Sequence, residues 1–190
     1  MRLNQFEFIK DKVCKDLEGL SPLLTYHNIA HTMDVVYQAE RIAIAERVNN
    51  DDIFLLKIAA LYHDTGFLKA YSHHEEASVR IFLHDADQFN LSEKDQRVIA
   101  GLIMATKVPQ RPVGLLQEII CDADLDYLGR TDFLRISASL RREFLNYGLI
   151  TVQDEWENLQ IRFLHSHQYH TNTSKTEREP VKQQYLATLV

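Results

Sequence analysis

Three short clusters of histidine and aspartate supply donors for a divalent cation. The first is Tyr26-His27-Asn28-Ile29-Ala30-His31-Thr32, whose imidazoles stand at i and i+4 on one predicted helical face. The second, His63-Asp64, closes the apolar run Ile58-Ala59-Ala60-Leu61-Tyr62 and then meets Thr65-Gly66. The third is Asp122-Ala123-Asp124-Leu125-Asp126, which follows Leu115, Leu116, Ile119 and Ile120. Neighbours on a helix point about 100° apart, so His63 and Asp64 reach one ion only at a helix end or a junction. An unpaired buried carboxylate is costly, and clustered acids at the inner end of an apolar helix are poor core material without a cation. The order His, His-Asp, Asp offers two imidazoles and two carboxylates from separate helices. Such a set suits one Mn²⁺, Fe²⁺, Ni²⁺, Zn²⁺ or Mg²⁺ ion with positions left open. A cation held there lowers the pKa of water from about 15.7 toward neutrality and draws charge from a phosphoryl oxygen.

Other clusters read differently. His84-Asp85, a second His-Asp dipeptide, lies mid-helix in His84-Asp85-Ala86-Asp87 and reads as a solvated polar face. His165-Ser166-His167-Gln168-Tyr169-His170 has no accompanying carboxylate, and its spacings do not line one helix face. It reads as a helix end with exposed histidines. Lys69 could neutralise phosphate charge, but an exposed lysine is the simpler reading.

The elements that must position these residues are helices. Apolar residues recur at helical spacing over Asn28 to Val48 and Ile53 to Asp64, with Asp51-Asp52 as N-cap chemistry for the latter. Gly66 stands where a left-handed helix-ending residue belongs. Ser72 with Glu75 predicts a capping box for a helix to about Phe89, and Ser92 with Asp95 opens another before Pro109. Further helices are expected from Val113 to Gly129, after Thr131, after Thr151 and from Ser174 to Leu189, with Gly148 as a separator. No stretch alternates with period two. The fold class is all-α, a compact bundle of about eight or nine helices.

The chain has 190 residues, 45% hydrophobic and 25% charged, which predicts one globular domain over 1–190. Its metal-site core spans about 27–129, with C-terminal helices over 131–190 packing on it. The net charge of −6 excludes a broad nucleic-acid surface. Cys14 and Cys121 are too few for a disulfide framework and fit a reducing compartment. No apolar run approaches the roughly 20 residues of a membrane span, and no leader is visible, so a cytoplasmic location is expected. The 8 Tyr and 9 Phe suit either a homodimer surface or the core.

Taken together, the three motifs resemble the HD superfamily of metal-dependent phosphohydrolases. The likeness runs from His27 to Gly129 and is greatest to small bacterial single-domain members. These carry Tyr-His-Asn-x-x-His-Thr, His-Asp-Thr-Gly and Asp-Ala-Asp-Leu-Asp-x-Leu-Gly, matched here by Tyr26 to Thr32, His63 to Gly66 and Asp122 to Gly129. The resemblance implies an HD-domain bundle with metal ligands His31, His63, Asp64 and Asp124, Asp122 competing for the last place. It implies hydrolysis of a phosphate ester or anhydride of a small metabolite or nucleotide by metal-activated water. Asp64 would orient or deprotonate that water. His27, His73 or His74 would bind phosphate or protonate the leaving group.

The chain also departs from the family. Dinuclear members add histidines before the last Asp. One could match His74 or His73, but the next falls near Met104-Ala105-Thr106, where none stands, so one metal is expected. Some one-metal members place an acid three or four residues past the His-Asp pair, where Phe67 and Leu68 stand, leaving Glu75 or Glu76 for that role. Lys175, Arg178 and Lys182 in the tail are candidates for substrate phosphate. The alternatives are a non-catalytic nucleotide-binding or regulatory module and a di-iron oxygenase.

Overall fold

The computed structural model describes residues 2–189, apart from the side chains at positions 153 and 154. The described residues form ten α-helices and no strand: α1 Arg2–Leu17, α2 Ile29–Ala45, α3 Asn50–Tyr62, α4 His74–Ala86, α5 Glu93–Ala105, α6 Leu115–Asp124, α7 Phe133–Asn146, α8 Gln153–Ser166, α9 Asn172–Glu177 and α10 Glu179–Leu189. Short 3-10 turns at Thr65–Leu68 and Asp126–Gly129 follow α3 and α6.

Helix α3 is the axis. Residues Ile53 to Leu56 and Ile58 to Tyr62 are buried, so the helix is apolar nearly all round and takes neighbours on every side. It packs against α1, α2, α4, α5 and α6. Helix α1, which the periodicity reading leaves unassigned, buries Phe6, Ile9, Val13 and Leu17 along one stripe. A second, smaller core gathers Tyr26, Leu125, Tyr127, Leu128, Phe133, Leu164, Tyr169 and Leu186. Among the described residues no helix is long and apolar enough to cross a membrane.

Several local assignments are corrected. Asn49, not Asp51 or Asp52, caps α3, its side chain accepting from Asp52 N at 3.0 Å. Ser72 caps nothing: α4 begins at His74, after His73 in the left-handed region at φ 58. Ser92 does cap α5, accepting from Asp95 N at 3.1 Å. Gly66 lies inside a 3-10 turn, and what it supplies is close approach. A Cβ there would sit 1.9 Å from the His74 carbonyl oxygen. The expected last helix is two, α9 and α10, meeting at Arg178.

Candidate metal centre

His31 stands in the first turn of α2, held by Asn28, whose side chain accepts from Ala30 N at 2.9 Å and His31 N at 3.3 Å. His63 and Asp64 follow the last residue of α3, where the chain leaves helical geometry and neighbouring side chains can converge. Ser78 of α4 pins that turn. Its hydroxyl donates to His63 O at 2.7 Å and accepts from Gly66 N at 2.8 Å. Asp124 is the last residue of α6. Candidate donor atoms of His31, His63 and Asp124 all lie within 4.8 Å of one another. Asp64 Oδ2 adds contacts of 3.4 Å to His31 Nε2 and 3.1 Å to His63 Nε2.

The chemistry of this donor set fits a cation. His63 Nδ1 lies 2.8 Å from the Ala60 carbonyl, which can only accept, so Nδ1 carries the proton. In a neutral ring the Nε2 lone pair then faces His31 Nε2 at 3.3 Å and both carboxylates. Asp64 Oδ2 is buried and receives no hydrogen bond; His63 Nε2 is near it but not aligned to donate. Lone pairs facing one another in a buried space repel unless something positive lies between them. Protons can supply that charge. Burial opposes it, yet Asp64 and Asp124 hold His63 well above its ordinary value and raise His31. Burial likewise works against the carboxylates, but the imidazoles bring Asp124 down to about 2 and Asp64 well below its usual range. A divalent cation would serve the same purpose with better geometry for nitrogen and oxygen donors.

A second layer borders the cluster. His27 precedes α2, so it does not share a helical face with His31, although their rings lie 5.8 Å apart. Its ring stacks on Phe67 at 4.4 Å, and Phe67 also stacks on His74 at 4.0 Å. His74 Nε2 lies 3.5 Å from Asp64 Oδ1 and 3.6 Å from Glu75 Oε1. Glu75 is buried, whereas the side chain of His73 is 77% exposed. Glu76 pairs with Lys107. Sequence reasoning missed Glu143 of α7. This buried carboxylate accepts from Tyr26 N at 2.8 Å, His27 N at 3.0 Å, His27 Nδ1 at 2.5 Å and the Tyr71 hydroxyl at 3.0 Å.

The three acids of the third motif separate because α6 ends at Asp124. Asp122 turns away to cap the segment before α9, accepting from His170 N, Thr171 N and the Thr171 hydroxyl at 2.7 to 2.8 Å. Asp126 pairs with Arg41 at 3.0 Å and Arg178 at 2.8 Å. Only Asp124 faces the histidines. Asp122→Ala is therefore expected to cost about 3 kcal/mol, by stranding buried donors, while metal content stays at the parent value. Denaturant unfolding beside elemental analysis checks this; loss of metal would reinstate Asp122 as a ligand.

The remaining candidates are displaced from the cluster. Lys69 is exposed. Lys175 donates to His170 O at 2.7 Å, and Lys182, expected near phosphate, is buried against His167 O at 2.7 Å. His167, expected to be exposed, is buried, and that burial, helped by nearby Lys182, lowers its pKa to about 3. Asp85, expected on a solvated face, is also buried and accepts from Tyr62 OH at 2.9 Å and Lys12 Nζ at 2.6 Å.

An all-α bundle that brings two imidazoles and two carboxylates to the meeting of α2, α3 and α6 defines the class. Residues 28–125 match the HD domain family, and the chain belongs to it. The fold is similar to that of a Lactobacillus plantarum protein of known crystal structure. That match has a TM-score of 0.69 at 17% identity, covering 97% of this chain and 94% of that one. It is also similar to Bacillus subtilis YpgQ, solved in complex with ADP, with a TM-score of 0.66 at 21% identity over 99% of this chain and 94% of that one. No curated protein matches the chain.

Proposed function

We propose that this protein is a metal-dependent phosphohydrolase acting on a phosphate ester or anhydride of a small metabolite or nucleotide. The observation that carries this reading is the orphaned Asp64 Oδ2, buried beside the imidazole nitrogens of His31 and His63. Family membership supports the reaction class, and the ADP complex of YpgQ supports a nucleotide as one ligand. His31, His63, Asp64 and Asp124 would hold one divalent ion. When bound, that ion supplies an activated water and an electrophilic contact to a phosphoryl oxygen.

The protein's own groups do the rest. Asp64 orients the attacking water and receives its proton. Glu143 holds the Nδ1 proton of His27, leaving Nε2 to exchange a proton with a substrate oxygen. His74 donates Nδ1–H toward Tyr71 O at 3.3 Å, which leaves its Nε2, 3.5 Å from Asp64 Oδ1 and 3.6 Å from Glu75 Oε1, as the atom that would carry a proton to the leaving oxygen. A di-iron site would need further histidines, and His73 lies in solvent.

Elemental analysis of tag-free protein prepared without chelator tests the reading, followed by phosphate and pyrophosphate release with Mn²⁺. About one ion per chain and chelator-sensitive release are expected. Protein that takes up no metal from excess Mn²⁺ would refute it.

A further inference from the structure

The space over the cluster is a cavity of about 330 Å³ with two unlike ends. Its polar end shows His27, Asp64, His74, Glu75 and Asp124. The rest is walled by α7, α8 and the turn after α6, with Tyr127, Phe133, Leu140, Phe144, Trp156 and Phe163 among the lining groups. Among the described residues no Lys or Arg lines it, while three carboxylates do. Lys107, between the lining residues Thr106 and Val108, pairs with Glu76. Arg178 and Arg41 pair with Asp126, Arg130 with Asp34 and Asp132, and Lys182 with Glu179.

This lining discriminates among phosphorylated compounds. A polyphosphate would bring several negative charges to three carboxylates with no cationic side chain to receive them, and one divalent ion offsets only part of that charge. On the apolar walls the Gln160 amide already donates to Ser137 and the Thr106 hydroxyl to Ile103 O, so beyond their acceptor oxygens a ribose would find chiefly the unpartnered Tyr26 hydroxyl. An apolar group, by contrast, gains from leaving water for these walls, and the volume is that of a small-ligand pocket. We infer that the substrate is a phosphate monoester of an apolar alcohol or phenol, its phosphoryl group at the histidine–aspartate cluster and its alkyl or aryl group against α7 and α8. The chemical half of this inference rests on the phosphohydrolase reading; the identity of the occupant rests on the cavity alone. Hydrolysis breaks the bond from phosphorus to the substrate oxygen and forms one from phosphorus to the water oxygen. One proton passes from water to the departing alkoxide or phenoxide.

The test pairs binding with turnover. Calorimetry with Mn²⁺-loaded protein measures Kd for ethyl-, butyl-, hexyl- and octylphosphonate, whose carbon–phosphorus bond resists hydrolysis, and for ADP. The matching alkyl phosphates are assayed for phosphate release. Kd is expected to fall about threefold to fourfold per added methylene until the cavity is full, with kcat/KM rising in step and ADP binding more weakly than octylphosphonate. Leu140→Trp should move the optimum to shorter chains, and Phe144→Ala should move it to longer ones. Circular dichroism identifies whichever variant folds, and either suffices. Equal affinity along the series, or tighter binding of ADP, overturns the inference whether or not hydrolysis occurs. Chain-length-dependent binding without turnover of any ester supports the occupant and instead refutes the phosphohydrolase reading.

Discussion

Asp64→Asn is expected to reduce bound divalent metal from about one ion per chain to less than about a tenth. Phosphate release should fall at least about a thousandfold, the scale of several kcal/mol of transition-state stabilisation. Asparagine keeps the shape of the side chain and removes its charge. Asp64 Oδ2 takes no hydrogen bond, so little of the fold depends on it. What depends on it is charge. Asp64 is one of the two carboxylates that hold His31 and His63 ready for a positive partner. The variant should therefore show a helical spectrum like the parent's while elemental analysis finds little metal. Full metal content with the same loss of activity would make Asp64 a base and not a ligand. Unchanged activity would remove it from the site altogether.

Glu143→Ala has the largest expected effect on stability, about 3–5 kcal/mol, or a melting temperature lower by about 10 °C. The carboxylate is wholly buried and gathers four donors from residues 26, 27 and 71, which alanine would leave without a partner. Glu143→Gln separates charge from shape. Burial works against ionised Glu143, but hydrogen bonds from His27 and from the backbone of Tyr26 and His27 hold its carboxyl below the usual value of 4.5. A carboxyl whose folded pKa is depressed gives its full stabilisation above the unfolded pKa and loses it as pH falls through the folded one. The parent should therefore lose stability below about pH 4.5 more steeply than Glu143→Gln does. Melting curves at a series of pH values decide it; parallel acid limbs would mean that the glutamate is uncharged in the fold.

The helical class was legible because 3.6-residue spacing persists through nearly every segment. Helix α1 was legible too: Phe6, Ile9, Val13 and Leu17 form a regular stripe, masked by the charges between them. The histidine–aspartate motifs identified a cluster but not the roles within it. Whether His27 belonged to a helix depended on where Asn28 would cap, and Asn28 starts α2 one residue too late to include it. The split among Asp122, Asp124 and Asp126 depended on partners near residues 170 and 178, which no local pattern announces. Glu143 sits in Arg142-Glu143-Phe144, indistinguishable from a surface helix acid. Its role arises because Tyr26 and His27, more than a hundred residues earlier, come back to it. His167 and Lys182 were misread for the same reason, since each buries the other's polar groups across a turn between helices.

The two cores carry different parts of the site. The histidine–aspartate cluster hangs from α2, α3 and α6 around the larger core, while α7 and α8 of the smaller one wall the cavity. Such an arrangement divides the engine from the mould, with two couplings between them: the Tyr26 ring of the smaller core lies 4.5 Å from that of His31, and Glu143 of α7 holds His27. Substitutions at positions such as Leu140, Phe144 or Trp156 reshape what is gripped. A lineage built on this plan can therefore explore new chemical clients one wall residue at a time, so long as Tyr26 and Glu143 stay in place.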